Sequence, residues 1–111
     1  MKLLILGDVM GISGRNALTN KLPKIITENK IDFVIVNGEN AADDGRGITQ
    51  TIAEEFFSKG VDVITSGNHI WDKQETTDYI DKENRLLRPA NLAEGSPGKG
   101  CLLYTSPSPR D

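Results

Sequence analysis

Three short stretches of this chain end in residues able to hold a metal ion or move a proton. Leu3-Leu4-Ile5-Leu6 runs into Gly7-Asp8, and Phe33-Val34-Ile35-Val36 runs into Asn37-Gly38-Glu39-Asn40. Val61-Asp62-Val63-Ile64-Thr65-Ser66 runs into Gly67-Asn68-His69, which contains the only histidine. Each is an apolar run stopped by a small residue, then by a carboxylate, carboxamide or imidazole. Two carboxylates and two amide oxygens gathered in one place call for a neutralising cation. Such oxygens are natural ligands for harder divalent metals of the Mn or Fe(II) kind. The imidazole adds a group that exchanges a proton near neutral pH.

Each stretch also has a plainer reading. Gly7-Asp8 is a common turn pair, and Gly67-Asn68-His69 reads equally as a turn carrying a solvated imidazole. Gly38-Glu39-Asn40 fits a turn less well, because glutamate is a poor turn residue. The plainer readings leave unexplained why all three fall at the same end of successive apolar runs.

The intervening segments have helical spacing. Leu18, Leu22, Ile25 and Ile26 give one apolar face, with Pro23 expected to kink or restart that helix. Asn29-Lys30 closes it, and a second strand is expected over about 32–37. Thr51-x-x-Glu54 fits a capping box for a helix with Ile48, Ile52 and Phe56 on one face, ending at Lys59-Gly60. A third strand is expected at about 61–65. Asp72-x-x-Glu75 suggests a cap for a helix with Tyr79 and Ile80 inward, and Leu86-Leu87-Arg88 a fourth short strand ended by Pro89. Alternation of strand and helix predicts an α/β fold of right-handed βαβ units on a mainly parallel sheet. In such a sheet all strand tips share one edge, and neighbouring strands lie roughly 4.8 Å apart, so the three tips can converge.

Bulk properties narrow the function classes. The chain has 111 residues, a net charge of −3, 37% apolar and 26% charged residues. That is an ordinary globular composition, and the acidic balance argues against stable nucleic-acid binding. One cysteine, Cys101, excludes an intrachain disulfide. The opening apolar run stops at Gly7-Asp8, too short for a signal or membrane segment, so a cytoplasmic protein without membrane contact is expected.

A second function class remains open. Gly7-x-x-x-Gly11-x-x-Gly14 could cradle a phosphate at a helix start, making a metal-independent nucleotide- or phosphate-binding module. It departs from the G-x-G-x-x-G fingerprint and has no P-loop lysine. A third reading is a metal-free interaction domain with Asp8, Glu39 and His69 merely solvated. Trp71 is by default a core or rim aromatic.

The motifs Gly7-Asp8-Val9-Met10-Gly11, Asn37-Gly38-Glu39-Asn40-Ala41-Ala42 and Gly67-Asn68-His69-x-Trp71-Asp72 resemble the opening motifs of calcineurin-like metallophosphoesterases. The similarity is strongest to the YmdB-type branch, bacterial 2′,3′-cyclic-nucleotide 2′-phosphodiesterases. Arg88-Pro89-Ala90-Asn91 and Gly95-x-Pro97-Gly98-x-Gly100 also match that branch, while the Asp43-Asp44-Gly45 loop is slightly longer than is usual in it. The resemblance spans residues 1–100. It implies the N-terminal half of a layered α/β sandwich, with Asp8 and Asn40 on a first metal, Glu39 shared by two, and Asn68 on the second. It gives His69 the role of proton donor, with two divalent ions (Fe or Mn, with Zn as a third candidate) and a small phosphodiester such as a cyclic nucleotide as substrate. A homo-oligomer is compatible with it. Asp72 is a candidate to orient His69, its alternative role being a helix cap.

The family's further histidine ligands come from a later half, and this sequence has none beyond His69. An uncovered apolar sheet face and a free strand edge are therefore expected, as is a chain that is inactive and poorly folded by itself. Residues 101–111, Cys101 to Asp111, break the preceding grammar and resemble the in-frame translation of a transposase adapter, which would make Cys101 non-native.

Overall fold

The computed structural model describes residues 1–103. Strands β1 (Leu3–Leu6), β2 (Phe33–Asn37) and β3 (Val63–Thr65) form a parallel sheet in the order β1-β2-β3. Parallel neighbours need a crossover rather than a hairpin, and helices α1 (Gly11–Asn29) and α2 (Gln50–Ser58) supply it. A 3₁₀ turn, Asn68–Trp71, and helix α3 (Gln74–Lys82) follow β3. The α/β class with βαβ crossovers is the one the sequence implies.

The register aligns the strand tips. Leu6 lies opposite Val36, and Asn37 opposite Thr65. Residues just beyond each strand therefore emerge side by side along one edge.

Alternation along the strands sorts the two faces. Val34, Val36 and Ile64 pack with Leu18 and Leu22 of α1, Ala53 and Phe56 of α2, and Ile80 of α3 in one buried cluster, against which Leu4 and Leu6 also rest. Leu3 and Ile5 point the other way and stay 54% and 67% exposed on the edge strand β1. Among the described residues, the exposed apolar stripe anticipated above is on β1, an edge strand with no further strand beside it.

Several local expectations shift. Pro23 does not interrupt α1, which runs unbroken to a left-handed cap at Lys30 (φ 53°). The helix begins at Gly11, so the loop before it is shorter than Gly7–Gly14. Ile25 is 36% exposed rather than inward. The α2 cap is Thr49, whose hydroxyl accepts from the Ile52 amide, not Thr51. Asp72 caps nothing through its side chain: α3 starts after Lys73 without a side-chain cap. The fourth strand reduces to a single parallel bridge between Ile64 and Leu86. Of the divergent tail, Cys101–Leu103 is described and residues 104–111 lie outside the described residues.

Candidate metal centre

Backbone hydrogen bonds between the three strand tips hold the site's frame. The Val9 amide donates to the Asn37 carbonyl (3.2 Å) and the Gly38 amide to the Thr65 carbonyl (2.8 Å), tying tip one to tip two and tip two to tip three. Asn37 turns its side chain back, and Oδ1 accepts from the Glu39 amide (3.0 Å). Gly38 must be small: a Cβ there would sit 2.8 Å from Ile64 Cγ2 and 3.0 Å from Ile48 Cδ1. The turn thus lies flat on the core and lifts Glu39 and Asn40 over the sheet edge.

Four of the five expected site residues come together. Asn40, 9% exposed, is the hub. Its Nδ2 donates to both oxygens of Asp8, at 3.0 and 3.2 Å. Its Oδ1 lies 2.6 Å from His69 Nδ1. A carbonyl oxygen only accepts, so in this arrangement His69 carries a proton on Nδ1. Glu39 Oε2 stands 3.9 Å from the same ring nitrogen, with the two side chains 19% and 34% exposed. Glu39 and His69 are partly buried and Asn40 is buried, while Asp8 is exposed and held by Asn40; Glu39 and His69 are therefore not simply solvated loop residues.

Asn68, the fifth, opens the 3₁₀ turn and is exposed, and among the described residues no hydrogen bond joins its side chain to the other four. Asp72 is also exposed and meets His69 only through the backbone, its amide donating to the His69 carbonyl at 3.0 Å. Asn40 and Glu39, not Asp72, orient the imidazole. Trp71 is half-buried against the core, as its default reading holds.

The donor set suits a hard cation. Asp8 and Glu39 give carboxylates, Asn40 and Asn68 amide oxygens, and the Glu39 carboxylate lies in the space a Gly67 side chain would fill. Among the described residues no three histidine, cysteine, aspartate or glutamate side chains gather tightly enough to bind an ion without the amides. The amides are therefore integral to any metal reading of this edge.

Two cations that the motifs do not reveal flank the loop after Asn40. Arg15 of α1 donates through Nη1 to the Ala41 carbonyl (3.0 Å) and to Asp43 Oδ1 (2.5 Å). Lys73 donates to Asp44 Oδ2 (2.7 Å), and that hydrogen bond lowers the Asp44 pKa from its ordinary value. Both cations line a cavity of about 440 Å³ with Thr49, Thr51 and Ile52. The only sequence signal was the unusual length of the Asp43-Asp44-Gly45 loop.

The rival phosphate loop is already engaged. The Val9 amide is used by Asn37, and the Gly11 amide donates to the Asn40 carbonyl at 2.9 Å. Those donors face protein rather than a ligand.

Comparison with known proteins identifies the family. The model of the YmdB-like protein family matches residues 4–110. This chain belongs to that family. It is 49% identical over 100 residues to the 2′,3′-cyclic-nucleotide 2′-phosphodiesterase of Bacillus subtilis (strain 168), covering 90% of this chain and 38% of the relative. Among solved structures, a novel phosphatase from Mycoplasma pneumoniae superposes with a TM-score of 0.85 at 35% identity, covering 96% of this chain and 39% of that one. A hypothetical protein from Thermus thermophilus gives a TM-score of 0.81 at 39% identity, covering 90% and 38%. The chain thus spans well under half the length of the proteins it matches. Among the described residues no helix is long and apolar enough to cross a membrane.

Proposed function

We propose that this segment supplies the first half of the active site of a binuclear-metal phosphodiesterase acting on small phosphodiesters, 2′,3′-cyclic nucleotides in particular. One observation carries the reading: the Asn40 carboxamide joins the Asp8 carboxylate to the His69 imidazole across three strand tips. The substrate class is supported by the activity for which the Bacillus relative is named.

Asp8, Glu39, Asn40 and Asn68 are the residues that would hold the ions, Mn or Fe by the hardness of their oxygens, with Zn less favoured. Such ions would polarise a phosphoryl oxygen and activate the attacking water. The Asn40 oxygen has two lone pairs: one accepts from His69 Nδ1–H, and the other would be free for a cation beside Asp8. With Nδ1–H held in this way, the doubly protonated ring can give its Nε2 proton to the ribose oxygen that leaves phosphorus as water adds. The ring then returns to the neutral form protonated on Nδ1.

The site is incomplete in this chain, whose single histidine leaves the coordination sphere short. The 111-residue chain therefore does not turn over by itself, and hydrolysis requires the remaining length seen in its relatives. Residues 101–111 are not part of the enzyme in this reading. A cytoplasmic location and, at most, self-association are the expected context.

The test is hydrolysis of 2′,3′-cyclic AMP by a protein of the relatives' length carrying residues 1–100, with Mn²⁺ and with chelator. Metal-dependent release of the 3′-phosphate product, reduced about 10²–10⁴-fold by His69→Ala, is expected. Turnover that survives chelation, or is unchanged in His69→Ala, would overturn the reading.

A further inference from the structure

Around the inner ring of candidate ligands runs a second ring of ion pairs with the same connectivity. Inside, Asp8–Asn40 joins the first strand tip to the second, while Asn40–His69 and Glu39–His69 join the second to the third. Outside, Arg15, seven residues after Asp8 in sequence, pairs with Asp43, and Lys73, four residues after His69, pairs with Asp44. Both outer pairs converge on the loop that leaves Asn40.

That loop is also held at its root. The carbonyls of Glu39, Asn40 and Ala41 accept in turn from the Gly47 amide (2.6 Å), the Gly11 amide (2.9 Å) and Arg15 Nη1 (3.0 Å). The Ala42 amide closes the loop by donating to the Gly47 carbonyl (2.9 Å). Gly47 takes φ 76°, and a Cβ there would lie 2.9 Å from the His69 carbonyl oxygen, so the loop's far end presses on the His69 turn. Movement of the loop moves the backbone of Glu39 and Asn40 on one side and of His69 on the other.

We propose that Asp43 and Asp44, acting through Arg15 and Lys73, are positioning residues that fix the spacing of Glu39 and Asn40 against Asp8 and His69. The proposal rests on the metal-site reading above. The aspartates are 71% and 60% exposed, so they add little to global stability, as exposed pairs do. Their effect falls on geometry, in the way that outer partners of metal ligands set affinity.

The experiment compares the unmodified chain with Asp43→Asn/Asp44→Asn, with Lys73→Asp, and with the charge swap Lys73→Asp/Asp44→Lys. Mn²⁺ affinity is read by electron paramagnetic resonance, and amide exchange is read at Gly11, Gly47 and, as a core reference, Phe56. The double asparagine variant is expected to bind Mn²⁺ about three- to tenfold more weakly, less than loss of a direct ligand partner. Exchange at Gly11 and Gly47 should quicken while Phe56 stays unchanged, and the charge swap should bind more tightly than Lys73→Asp alone. Equal affinity and equal exchange in the asparagine variant, or a swap no better than the single change, would overturn the proposal. If neither the unmodified chain nor a protein of the relatives' length carrying residues 1–100 shows saturable Mn²⁺ binding, the metal reading fails. The exchange rates then decide the clamp separately: faster exchange upholds it, and unchanged rates refute it.

Discussion

The Glu39 carboxylate rests against the α-carbon of Gly67: a Cβ built on Gly67 would lie 2.2 Å from Oε2 and 2.4 Å from Cδ. Gly67 has a negative φ (−149°), outside the left-handed region, and the space above it is what a side chain would lack. Gly67→Ala should therefore expel Glu39 from the edge while leaving the core intact. Mn²⁺ affinity is expected to fall about tenfold or more, with little change in thermal midpoint. Calorimetric titration beside a thermal melt checks it, and a variant that binds as tightly as the unmodified chain contradicts the placement of Glu39.

Leu3 and Ile5 leave an apolar stripe on a free strand edge, a known route to self-association. Leu3→Thr/Ile5→Thr places a strand-favouring β-branched side chain at both positions and should raise the monomer fraction in size-exclusion chromatography. Because neither side chain is in the buried cluster, stability should change by less than about 0.5 kcal/mol per site. A large drop in melting temperature would show that this face is covered in solution.

Stability should fall at both ends of the pH scale, for separate reasons. Hydrogen bonds from Arg85 hold Glu83 below its ordinary value of 4.5, and Arg85 also stacks 3.9 Å over the Phe57 ring. A depressed carboxyl contributes stability that is present above 4.5 and lost as pH falls through the folded value. Burial pushes Tyr79 from 10.0 up to about 12, so its contribution is constant below 10 and lost as pH rises towards 12. Urea midpoints against pH should show a shallower acid limb in Glu83→Gln and a shallower alkaline limb in Tyr79→Phe. The buried Tyr79 hydroxyl has no hydrogen-bond partner among the described residues. Tyr79→Phe should therefore leave neutral-pH stability unchanged or raise it by about 1 kcal/mol. Limbs of unchanged steepness in both variants would sink the assignment.

What the sequence disclosed and what it hid divide along physical lines. Continuous apolar runs ending in Gly-Asp, Gly-Glu-Asn and Gly-Asn-His revealed both the parallel sheet and the residues at its edge, because burial on strands and exposure at tips are local composition signals. Asn40 as the hub was not legible, since its link to His69 spans 29 residues and depends on how two loops meet. Asp72 was a reasonable candidate by proximity in sequence, yet the tight turn from Gly67 carries the imidazole towards β2 instead. The α2 cap was misplaced by two residues because Thr49 and Thr51 are chemically equivalent, and only backbone geometry separates them. Arg15 and Lys73 carried no motif, and their meaning arises only where the loop folds between them.

The central claim is that Asp8, Glu39, Asn40 and Asn68 share a cation site at the strand tips. Titrating Mn²⁺ into the ¹⁵N-labelled chain tests it most directly, because paramagnetic broadening reports which amides lie near the ion. The account predicts that signals around Asp8, Glu39, Asn40 and Asn68 vanish first and together, while those of Asp62, Asp81 and Glu28 persist. Broadening that begins at Asp43 and Asp44, or spreads evenly over all the acidic residues, would contradict it.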